Sequence, residues 1–189
     1  EGTRVQTALE RSMGIAFMLA LPLALGGLLV APDLVTLLFG NSYLPATLSL
    51  QILFLTMMLN FPSVFLMNAI FAFNEQKKLV LFAVIGGATN VILDLILIPF
   101  FGIAGSAWAT FIAQLVSNIY LWRVMKKIGH FAILPRLVRI IPATLLMGTA
   151  TFLLVLSQVH FFIVILFSIL LYFGILYLQR EPLLQEIRL

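Results

Sequence analysis

Three long stretches nearly free of charge decide what this chain can fold into. Residues 12–74 hold one charged residue, Asp33; residues 79–122 hold one, Asp94; residues 140–179 hold none. A helix that crosses the hydrocarbon core of a bilayer needs about 20 mainly apolar residues. Each stretch therefore has room for two crossings and reads as a helical hairpin. The runs are continuously apolar, whereas strands of a membrane barrel would alternate over about ten residues. The predicted class is all-α, a polytopic membrane bundle.

Turn signals divide each stretch near its middle: Gly40-Asn41-Ser42-Tyr43-Leu44-Pro45, then Pro99-Phe100-Phe101-Gly102, then Ser157-Gln158-Val159-His160. These residue types break helices or satisfy the backbone locally. Six spans follow, at 13–38, 46–73, 79–98, 104–125, 138–156 and 161–179. Only 10% of residues are charged, against roughly 25% in a soluble domain, which rules out a soluble globular enzyme, a disordered region and a coiled coil. Cysteine is absent, so disulfides and thiolate chemistry are excluded. The sequence opens at Glu1 without an initiator Met or a cleavable signal, and is expected to be a piece of a longer chain.

The few charges are placed asymmetrically. All eleven Lys and Arg residues fall on one predicted side. Arg4 and Arg11 precede the first span. Lys77 and Lys78 lie between the second and third. Arg123, Lys126, Lys127, Arg136 and Arg139 lie between the fourth and fifth, and Arg180 and Arg188 follow the sixth. Basic residues favour the cytoplasmic side, so both ends of the chain are expected there, in an inner membrane. The net charge of +4 then marks topology, and nucleic acid is not an expected partner. The run Arg123 to Lys127 suits anionic lipid head groups.

Polar residues at membrane depth carry the functional signal. Asn60 and Asn68 lie on the second span, Asn90 and Asp94 on the third, Gln114 and Asn118 on the fourth. Their spacings put each pair on one helix face, so the three stripes are expected to face one another or a wet cavity. Asp94 is the acid deepest in a span, and no Lys or Arg lies inside any span to pair with it. A carboxylate at depth usually has a partner or a task. Either a proton neutralises it, or it sits near the outer water about a turn before Pro99. Interhelical hydrogen bonding is the plainer reading of all six residues. Asp33 is expected to be solvated, and His130 and His160 are too far apart in the chain to suggest a metal site.

Pro22, followed by Gly26-Gly27, and Pro62 fall inside spans and are candidate bends. Pro142 opens the fifth span. Gly86-Gly87 and the Gly102–Gly105 segment permit close helix approach. Bent helices beside a polar stripe fit a transporter that rocks during its cycle. There is no phosphate loop, His/Glu metal spacing or nucleophile elbow, so the chain is not read as an enzyme. No cofactor is expected, and energy is expected from a proton or sodium gradient.

Several segments resemble a known family. Leu38-Phe39-Gly40-Asn41-Ser42-Tyr43-Leu44-Pro45-Ala46 is similar to the Leu-Phe-Gly-x-x-Tyr-x-x-Ala turn of polysaccharide flippases. Asn90, Asp94, Ile98-Pro99 and then Phe101-Gly102-Ile103-Ala104-Gly105-Ser106-Ala107-Trp108-Ala109-Thr110 resemble a hairpin of the same proteins, and Phe71–Lys77 resembles their Ala-x-Gly-x-x-Lys loop, with Phe73-Asn74 where Gly is usual. The family is the multidrug/oligosaccharide-lipid/polysaccharide exporter superfamily, in its O-antigen and polysaccharide branch. The resemblance covers about residues 5–127 and implies a two-lobed, alternating-access transporter. Residues 1–127 would supply four helices of the second lobe, and residues 128–189 a cytoplasmic linker and a terminal hairpin.

The implied substrate is a polyprenyl-linked sugar, and the implied partners are membrane lipid and a missing N-terminal part of the same protein. The pyrophosphate of such a substrate wants cations in a low-dielectric cavity. No span supplies one, so they are expected in the missing part. Competing readings are a drug or metabolite exporter of the superfamily, an intramembrane transferase with Asp94 as base beside Asn90, and a scaffold without transport.

Overall fold

The computed structural model describes residues 2–129 and 131–179, with side chains described from Gln6 onward. Arg4, His130, Arg180 and Arg188 lie outside the described side chains. Among the described residues the chain is helical throughout: α1 Gly2–Phe39, a 3-10 turn Asn41–Ala46, α2 Thr47–Ala72, α3 Gln76–Phe101, α4 Ile103–Ile128, α5 Leu134–Leu156 and α6 Phe161–Leu178. All three predicted turns interrupt helices where expected. The first helix differs most, since α1 begins at Gly2 rather than near residue 13. Arg4, Glu10 and Arg11 limit what can sit in lipid but do not disfavour helix. At 38 residues and 1.5 Å per residue, α1 is about 57 Å long, more than the roughly 30 Å hydrocarbon core requires.

Among the described residues, five helical segments are long and apolar enough to cross a membrane: Gln6–Phe39, Asn41–Ala72, Gln76–Phe101, Leu134–Leu156 and Phe161–Leu178. Six spans were expected. The sixth, α4, is equal to α3 in length at 26 residues, but Ser106, Thr110, Gln114, Ser117, Asn118 and three terminal cations lower its hydropathy. The polar content is sheltered. Helix α4 packs between α3 and α2, with Gly105, Ala107, Ala109, Ala113, Ser117 and Asn118 buried. It is the hairpin partner of α3 and the interior helix of its half. The molecule is a multi-pass membrane bundle.

Helix contacts run in the order α3, α4, α2, α1, α5, α6, with α6 also touching α1. Lipid is as apolar as Leu, so close fit of small residues holds such helices together. A Cβ on Gly27 would run into the ring of Phe54, one on Gly148 into Leu25, and one on Gly105 into the backbone carbonyl of Leu97. Two clusters anchor the bundle. Leu9, Met13, Leu66, Ile70, Leu121, Val124, Met125 and Ile133 bring together the start of α1 and the ends of α2 and α4. Met18, Ile140, Ala143, Met147, Tyr172 and Leu176 join α1 to the terminal hairpin. The first cluster puts Arg11, Lys77, Lys78, Arg123, Lys126 and Lys127 at one end of the bundle.

That end also fixes the linker before α5. The Glu10 carboxylate accepts the Ala132 N–H at 2.8 Å, and Trp122 and Phe131 pack with ring centroids 5.3 Å apart.

Candidate functional site: a polar cleft between two helices

Helix α3 has no buried residue and lies against α4. Where the two pass, Gly86 leaves just enough room, since a Cβ there would be 3.4 Å from Ser117. The missing side chains of Gly86 and Gly87 open a cleft of about 280 Å³ lined by Phe82, Ala83, Gly86, Gly87, Asn90, Thr110, Ala113, Gln114 and Ser117. Among the described residues, no charged one lines it.

Asn90 projects from α3 toward Thr110 on α4. In one orientation its amide nitrogen is 3.5 Å from Thr110 Oγ1, at the edge of hydrogen-bonding range. In the other, the nitrogen is 3.3 Å from Asp94 Oδ2 and the oxygen 3.3 Å from the Thr110 backbone nitrogen, which satisfies both ends. Asp94 follows one turn along α3 and is half-buried. Its Oδ1 is buried without a hydrogen-bond partner among the described residues. A buried oxygen of an acid is costly to leave unmatched in a bilayer. Asn90 thus links α4 at Thr110 to Asp94, whose second carboxylate oxygen has no partner among the described residues.

The rest of the predicted stripe divides. Gln114 lines the cleft. Asn118 is buried, but its amide nitrogen donates within its own helix, to the Gln114 carbonyl at 2.8 Å and to Gln114 Oε1 at 3.3 Å. Its own Oδ1 is buried without a partner among the described residues. Ser117 is spent on the Ala113 carbonyl, 2.8 Å away. The expectation that three stripes converge holds only for α3 and α4. Asn68 on α2 is exposed and Asn60 half-buried, and neither lines the cleft, because α2 packs on the opposite flank of α4 and barely touches α3. Asp33 is exposed near the end of α1, and His160 is exposed in its turn.

The helices run on through the candidate bends, with Pro22 inside α1 and Pro62 buried inside α2. Thr110 was a site residue the sequence reading passed over. Its signal was available, one turn before Gln114 on the same face.

A second cavity, apolar and of about 500 Å³, lies between α1, α2, α5 and α6. Leu23, Val30, Phe54, Phe61, Ile165 and Phe173 are among its walls. The hydroxyls of Thr151 and Ser168, 2.7 Å apart, bridge α5 and α6 at its edge.

Comparison with known proteins agrees with this architecture. Over 127 residues, or 66% of the chain, it is 28% identical to a protein named "Probable flippase AglR" from Haloferax volcanii, covering 26% of that protein. A solved structure titled "Lipid II flippase MurJ, inward closed conformation" shares the fold at a TM-score of 0.78 and 22% identity, over 97% of this chain and 40% of that one. The chain thus spans about a quarter of the curated relative and two fifths of the solved one. Residues 1–173 match the sequence profile of the family described as "Lipid II flippase MurJ". The flippase superfamily read from the hairpin motifs is therefore shown, through this branch of it, and the chain belongs to the MurJ lipid II flippase family.

Proposed function

We propose that these helices are part of a flippase that moves a lipid-linked oligosaccharide across the cytoplasmic membrane for the building of a surface polysaccharide. Asp94 is its ion-coupling carboxylate, with a proton or sodium ion as the coupled species. One observation carries this reading. In a bundle whose spans are otherwise almost uncharged, a single acid sits beside a polar cleft with Asn90 and Thr110, one oxygen buried and unmatched. The names of the relatives support a lipid-linked cargo. The choice of sugar follows from the motif resemblance alone.

Among the described residues no cation side chain lines the cleft, so it suits the coupled ion rather than the pyrophosphate of the cargo. The cationic partners of the pyrophosphate then belong to parts of the protein beyond these residues. The basic end of the bundle faces the cytoplasm, with both termini of this chain on that side.

The test uses the full-length protein in proteoliposomes with a fluorescent lipid-linked oligosaccharide, under an imposed pH or sodium gradient. Asp94→Asn is expected to abolish the acceleration by the gradient while leaving the protein folded. Undiminished gradient dependence would remove Asp94 from coupling. No translocation of any lipid-linked sugar by the unaltered protein would remove the flippase reading itself.

A further inference from the structure

Helix α1 contains two prolines, Pro22 and Pro32. A proline lacks the N–H that would bond the carbonyl four residues earlier, so it opens that carbonyl and weakens the helix there. The carbonyls concerned are those of Met18 and Leu28. Each is met by a side chain from a different helix. Tyr172 on α6, fully buried, donates its hydroxyl to the Met18 carbonyl at 2.7 Å. Gln51 on α2 donates its amide to the Leu28 carbonyl at 3.0 Å. In a bilayer there is no water to do this, and neighbouring side chains must.

The two joints bracket the stretch of α1 that borders the apolar cavity, which α1 lines from Leu19 to Leu34. That stretch has a proline-freed carbonyl at each end and free volume on one flank. We propose that Tyr172 and Gln51 are positioning residues that set where α1 bends. Tyr172 ties the inner joint to the terminal hairpin, and Gln51 ties the outer joint to α2. The segment between them moves as a unit into or out of the cavity. Movement of the terminal hairpin is thereby transmitted to α1 at Met18 instead of being spread along the helix. This rests on the transporter reading, but the bend itself is measurable without transport.

The experiment places spin labels at Leu37 on α1 and Phe162 on α6, both exposed, in the reconstituted full-length protein. Distances between them are read by pulsed electron paramagnetic resonance. Tyr172→Phe keeps the ring and removes the hydroxyl; it is expected to replace a narrow distance distribution with a broad or shifted one. Adding Pro22→Ala supplies an N–H for the Met18 carbonyl, and is expected to restore the narrow distribution. Gln51→Leu and Pro32→Ala repeat the pair at the outer joint, and serve if Tyr172→Phe fails to fold. An unchanged distribution in the single variants overturns the proposal. So does a broadening that the proline replacement leaves in place, because the lost contact would then be packing and not the carbonyl bond. Failure of the flippase reading would show separately, as unaltered protein that moves no lipid-linked sugar.

Discussion

Among the described residues, two that are not glycine, Asn74 and Gln158, hold positive φ, at 58° and 53°. Both end a helix in the same way. The Glu75 N–H reaches back to the Ile70 carbonyl and the Asn74 N–H to Phe71; the Val159 N–H reaches Leu154 and the Gln158 N–H reaches Val155. Each is the left-handed position of a Schellman cap, where glycine is the usual residue. This accounts for Asn74 standing where the related loop carries Gly: asparagine tolerates that conformation better than other side chains do. Glutamine has no such tolerance. Gln158→Gly is therefore expected to stabilise the protein by about 1 kcal/mol, Asn74→Gly by less, and Asn74→Val to destabilise by about 1–2 kcal/mol. Thermal melts in detergent check the order. An Asn74→Val melt equal to the parent would show that the cap carries no strain. The motif pointed to a turn here, but its handedness was legible only from the backbone.

At the scale of elements, the helix-glycines predict three different outcomes according to what surrounds them. A Cβ at Gly105 meets the Leu97 carbonyl, which is backbone and cannot turn aside. Gly105→Ala is expected to force α3 and α4 apart at the cost of overpacking, about 2–3 kcal/mol. At Gly148 the obstacle is the end of the Leu25 side chain, which has other rotamers, so alanine there should cost about 1 kcal/mol. Gly87 meets nothing within 4 Å, and alanine should gain up to about 1 kcal/mol through helix propensity. Stability in detergent, measured for the three variants together, tests the ranking; a Gly105 variant as stable as the Gly87 one contradicts the close α3–α4 approach.

The sequence named Gly86-Gly87 and Gly102–Gly105 as contact sites because small residues recur there. It did not reveal that α2 turns its Asn60 and Asn68 away from that contact. Periodicity places residues on a face of their own helix, and which helix that face meets is a matter of packing. Asn90 and Thr110 are 20 residues apart, yet close across a hairpin, so that pairing was within reach of the sequence. Tyr172 and Met18 are 154 residues apart, and nothing local links them.

For the whole molecule, the distribution of charge makes the most direct prediction. The hairpin boundaries came from the uncharged stretches because lipid tolerates few ions, and the packing of Leu9, Ile70 and Met125 into one cluster gathers the described cations at one end. The opposite end carries the turns around Ser42 and Ser157, both exposed and neutral. The energetic preference of Lys and Arg for the cytoplasmic side acts during insertion, so their collection at one end predicts the direction of every helix at once. The sequence contains no cysteine, which makes single-cysteine labelling clean for this region, given a background cleared of any cysteine elsewhere. Cysteine at Ser42 or Ser157 is expected to react with a membrane-impermeant maleimide on intact cells. Cysteine at Lys78 or Lys127 is expected to react only after permeabilisation. The reverse pattern would invert the bundle and place Asp94, about two turns from the end of α3, on the cytoplasmic half of the bilayer. On the coupling role proposed for Asp94, its ion would then come from the opposite compartment, so the same labelling result tests from which side that role would be served.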